Sequence, residues 1–247
     1  MKQKLITIAF GLALGSAARA DFNPITLTAG SYTRDMVVEK TAAATPSGAA
    51  TTASMDAGAG NTGYSWYEQG YNSGAPTTGL PTAGSTFASA TFPTHHYKMA
   101  SSYTANNAAL IDSTHSATLT PSSPAAFGAL SFLTSAGNGP VTIDYTVHHA
   151  DSSTESGTFD SKDWFGNSSI AFDANGRVDV QSGAFDNVNN NNPRLYSVDI
   201  ALGNRTSQVT SIDLSWDAAN TGGAAASQLR SMLVTGLVRL PSAMSTE

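Results

Sequence analysis

The 247-residue chain has no cysteine, few charges, few aromatic residues and a single long apolar run, at residues 5–14. Without thiols it has no disulfide, each of which supplies ~2–4 kcal/mol in exported proteins, and no thiolate nucleophile or metal ligand. Stability must come from core burial instead. Charged residues make up 12% of the chain, and acids outnumber bases 18 to 12. That balance excludes the basic surface needed for nucleic acid or an anionic membrane. The G-x-S-x-G elbow and the H-E-x-x-H helix are both missing, and glutamate occurs only at Glu39, Glu68, Glu155 and Glu247.

The apolar run has the length and flanks of an export signal. Lys2 and Lys4 precede it, Ala18-Arg19-Ala20 offers a small-x-small cleavage site, and the run is too short to span a bilayer. The mature chain is expected to begin at Asp21, without a lipid anchor because no cysteine follows. It is expected in the secreted, periplasmic or cell-surface compartment. Loss of Lys2, Lys4 and Arg19 leaves 9 bases against 18 acids, a net charge near −9.

Residues 21–247 are expected to form one all-β domain, an antiparallel β-sandwich or jelly roll, most regular over 127–240. The basis is period-2 alternation. Val141, Ile143, Tyr145 and Val147 alternate with Thr142, Asp144, Thr146 and His148. Tyr196, Val198, Ile200 and Leu202 repeat the pattern, as do Ile212, Leu214 and Trp216. Further strands are expected at 128–134, 155–160 and 230–238, with less regular ones at 35–40, 86–92, 96–99 and 108–112. Asn175-Gly176, between two short arms over 171–180, predicts a type I′ hairpin. Residues 41–63, rich in Ala, Thr, Ser and Gly, read as a surface excursion.

The order of features from Phe127 to Leu240 resembles the galactose-binding-like jelly-roll modules of secreted bacterial proteins. The strand Val141 to Val147 carries the resemblance, with Ala150-Asp151-Ser152, Ser161-Lys162-Asp163-Trp164-Phe165, Pro193-Arg194-Leu195-Tyr196 and Val209 to Leu214. It implies a jelly roll and glycan binding. It transfers no ligand residue, because the binding loops of such modules vary.

The residues that bear on chemistry are loop aromatics, acids and histidines. Tyr64, Trp66, Tyr67 and Tyr71 stand among Glu68, Gln69 and Asn72, and an aromatic face beside hydrogen-bonding side chains is what sugar recognition requires. Trp164, Phe165 and Asn167 form a second such group. The expected carbohydrate-binding set is therefore Tyr64, Trp66, Tyr67, Glu68, Tyr71, Trp164 and Asn167. The competing reading has Tyr64 and Trp66, on one face when extended, capping the core.

No catalytic residue and no cofactor is expected. Asp173-Ala174-Asn175-Gly176 only faintly resembles a calcium loop, whose remaining acids are missing. His95-His96 and His148-His149 invite zinc, yet strand neighbours point to opposite faces and cannot share one ion. Three functions remain. The leading one is a non-catalytic module that binds a glycan or cell-surface polysaccharide. The others are a structural or adhesion component of the surface or matrix, and a hydrolase using two carboxylates drawn from acids such as Glu68, Glu155, Asp160 and Asp163.

Overall fold

The computed structural model describes residues 21–40, 50–71, 79–188, 192–217 and 231–241, the last stretch by backbone alone. The export segment 1–20, the 41–49 part of the Ala/Thr-rich stretch, and Asn72 lie outside the described residues.

Among the described residues sixteen strands follow in chain order. The first seven are short: β1 (Asn23–Ile25), β2 (Val37–Val38), β3 (Tyr64–Tyr67), β4 (Thr86–Ala88), β5 (His96–Lys98), β6 (Ala109–Ile111) and β7 (Ala117–Leu119). Then come β8 (Phe127–Gly137), β9 (Val141–His149), β10 (Thr154–Ser161), β11 (Ile170–Asp173), β12 (Arg177–Asp179) and β13 (Phe185–Asp186). The series ends with β14 (Arg194–Ala201), β15 (Val209–Trp216) and β16 (Ser231–Pro241). The only helical element among the described residues is a 3-10 turn at Ala29–Ser31.

The protein is an antiparallel β-sandwich. One sheet runs β1-β16-β8-β14-β11, with β6 also paired to β16, and the facing sheet runs β10-β9-β15-β7. Alternation explains why they stack. Ile143 and Val147 of β9, Phe159 of β10, and Ile212 and Leu214 of β15 point inward against Leu130 and Phe132 of β8 and Ile200 of β14. Val198 and Trp216 pack on this core while partly exposed.

Within the larger sheet, β8 and β6 are buried on both faces. Successive residues of β8 and β6 go to different cores: Phe132 and Ile111 to the one just described, Leu133 and Leu110 to another. That second core lies beneath a layer built mostly from the first half of the chain, with Trp164 and the β12–β13 pair from the second, where Met36, Met55, Trp66, Tyr97 and Met99 pack on Leu133 and Leu195. A smaller sheet, β13-β12-β3-β2, belongs to this layer, and its β2–β3 pair is parallel.

Two expectations are corrected here. Residues 50–63 are not a surface excursion, because Ala53, Ser54 and Met55 are fully buried and the Met55 N–H bonds the Tyr64 carbonyl at 3.1 Å. The segment lies so close on β8 that a Cβ at Gly137 would fall 1.8 Å from the Met55 carbonyl oxygen. Nor do the arms around Asn175-Gly176 form a hairpin: β11 pairs with β14, whereas β12 pairs with β13 and β3. A type I′ turn needs positive φ at both central residues, and here only Gly176 has it, at 76°. The dipeptide instead carries the chain from one sheet to the other.

Candidate functional site

β3 holds the first aromatic group, and its alternation sends the side chains two ways. Tyr64 and Trp66 face the second core, where Trp66 meets Trp164 edge-on at 5.7 Å. Tyr67 faces the opposite side with Tyr71, Val178 and Val180. Trp66 and Tyr67 are 1% exposed, Trp164 2% and Tyr71 4%, so none of these four offers a ring face to a ligand. Hydrogen bonds hold the phenols inside: Tyr67 donates to the Asn175 carbonyl, and Tyr71 to that of Gly183 at 3.0 Å. Burial lifts the Tyr67 hydroxyl to about 12. Glu68 is buried as well and accepts the backbone N–H groups of Lys40 and Ala83 at 3.1 and 3.4 Å. As a ligand surface these five positions are corrected to packing and loop-tying roles, because the layer over the larger sheet needs a core of its own.

Tyr64 and Asn167 are placed differently. Tyr64 is half-buried and Asn167 exposed, and the half-buried Phe165 lies on the same connection as Asn167. The register of β12 on β3, with Asp179 opposite Tyr64, brings Arg177 over the Tyr64 ring, 3.9 Å from guanidinium carbon to ring centroid. Phe165 and Trp164 lie 5.6 and 5.7 Å from the same carbon. Arg177 Nε donates to Asp186 Oδ2 at 3.0 Å, which fixes the plane of the cation. The result is a patch of Tyr64, Phe165, Arg177 and Asp186 at the surface end of the second core. Sequence reading missed Arg177 and Asp186, since their approach depends on the β12–β3 pairing that Asn175-Gly176 disguised as a hairpin.

The remaining acids are engaged in structure. Glu155 accepts the N–H groups of Gly203 and Asn204 at 2.5 and 3.0 Å, and His149 Nε2 lies 2.9 Å from it. Its burial raises the carboxyl, but those bonds outweigh it and leave the group below its ordinary value. Asp160 accepts from Thr142 at 2.8 Å, and Asp163 caps the Phe165 N–H at 2.8 Å. Asp35 stands apart. Burial lifts its carboxyl to about 7, partly offset by the bond from Asn107 Nδ2 at 2.6 Å and reinforced by the nearby charge of Glu39.

His148 and His149 point apart, as strand geometry requires: His149 is buried against Glu155, while His148 lies on the outer face 2.8 Å from Asp213. His95 stacks on Phe22 at 4.1 Å and reaches Asp199 at 3.1 Å. Among the described residues no three such groups converge to hold a metal. Compared with family models and with curated proteins, the chain matches none.

Proposed function

We propose that this chain is an exported, non-catalytic β-sandwich module that binds carbohydrate, as galactose-binding-like modules do, at the patch of Tyr64, Phe165, Arg177 and Asp186. The observation that carries this reading is the Arg177 guanidinium held over the Tyr64 ring at 3.9 Å beside the half-buried Phe165. Phe165 supplies an apolar face for sugar C–H groups. Arg177 and Asp186 supply a fixed donor and acceptor for hydroxyls, and the exposed Asn167 amide stands close by in sequence. Export, with the mature chain starting at Asp21, belongs to the same reading and is checked by the mass of the secreted product.

The binding test is retention of the chain in gels or on arrays carrying defined polysaccharides. Phe165→Ala and Arg177→Ala should abolish retention while the circular-dichroism spectrum stays unchanged. Retention that survives both substitutions removes the patch from consideration. Release of reducing sugar from a retained polysaccharide would replace the binding module by the hydrolase.

A further inference from the structure

A sheet edge presents unpaired N–H and C=O groups to any second strand, and folded chains guard such edges with shortness, proline, bulges or lysine. Among the described residues, three of the four outer edges of this sandwich are guarded. β1 has three residues and contains Pro24, β7 has three and is followed closely by Pro121, and β11 has four with a register shift between Ile170 and Phe172. β10 is not. It runs eight residues, pairs with β9 without a break in register, and contains neither proline nor lysine.

Its free groups can be assigned from the ladder. The His149 N–H bonds the Ser153 carbonyl at 3.0 Å, so the alternation of an antiparallel pair turns the backbone groups of residues 155, 157, 159 and 161 toward β9. Those of Thr154, Ser156, Thr158 and Asp160 point outward, and no described residue outside the strand takes them. All four of these residues are exposed.

We propose that β10 is an assembly edge, at which two copies of this chain pair antiparallel and join their four-stranded sheets into one. The occupant follows from the strand's self-complementarity. In the register centred on Gly157, the whole of Thr154 to Asp160 overlaps its symmetry mate, Thr154 opposite Asp160 and Ser156 opposite Thr158. These are the pairings the sheet already uses between β9 and β10, where Thr142 bonds Asp160 at 2.8 Å and Thr146 bonds Ser156 at 3.0 Å. The two acids of β10 do not meet across the symmetry axis. Asp160 projects outward, whereas Glu155 projects inward and is tied to His149, Gly203 and Asn204. Such a contact is isologous and closes at two copies.

Sedimentation or light scattering over a range of concentrations tests this on the mature chain. The chain should pass from monomer to dimer as concentration rises, and both Thr158→Lys and Thr158→Pro should hold it monomeric. Thr158 gives no backbone bond to β9, so each variant should keep the parent spectrum and unfolding curve, and the lysine variant serves if the proline one distorts the strand. A parent chain that stays monomeric throughout overturns the proposal. So does a dimer that survives both substitutions. Neither variant touches Tyr64, Phe165 or Arg177, so glycan retention and dimerisation fail separately.

Discussion

Asp35 stands beside β2 with its carboxyl raised to about 7 by burial, the bond from Asn107 and the charge of Glu39 only modifying that effect. An unfolded aspartate titrates near 3.8, so between that pH and about 7 the folded chain holds a proton that the unfolded chain has lost. Stability should therefore fall as pH rises through this window. Asp35→Asn, which keeps an oxygen for Asn107, should flatten the decline, as read from melting temperatures between pH 5 and pH 8. Trp66 is the other informative residue. With 1% of its surface exposed against Trp164, Trp66→Ala should cost about 3–5 kcal/mol in denaturant unfolding. Tyr64→Ala, at a half-buried ring, should cost less. The sequence could not separate these roles, because Tyr64 and Trp66 have the same spacing whether their shared face meets a sugar or a core.

Among the elements, β9 and β15 were legible because each has one face in the core and one in water, the condition that writes alternation into a strand, and the C-terminal half of β14 alternates likewise between buried Ile200 and exposed Asp199 and Ala201, although its Leu195 enters the second core. β8 was predicted at 128–134 and extends over Phe127–Gly137, and with both faces covered it shows no polar face to mark its ends. The 202–206 connection depends on a contact outside any strand pattern, the Glu155 carboxylate bound to the Gly203 and Asn204 amides. Glu155→Ala should cost about 1.5–3 kcal/mol and leave the buried His149 without its acid. Hydrogen exchange should quicken at those two amides, while β9 and β15 keep their protection.

For the whole molecule, the unexpected feature is a sheet with a core on each face. The short strands of the first half do not extend the sandwich evenly; many of them cover the outer side of the larger sheet. Since β8 supplies residues to both cores, the layers should unfold together. Leu214→Ala in one core and Leu133→Ala in the other should each cost about 2–5 kcal/mol and shift a single coincident transition. A separate early transition for Leu133→Ala would mean that the outer layer melts alone.

The residue pattern sufficed for an all-β chain and for the inward faces of its long strands, since alternation is a local property that a single strand carries by itself. Which strand lies beside which, and therefore whether Trp66 meets water or Trp164 and whether Arg177 reaches Tyr64, depended on packing between segments far apart in the chain. Burial belongs to the assembled layers, and the apolar face of an isolated strand does not specify what will cover it.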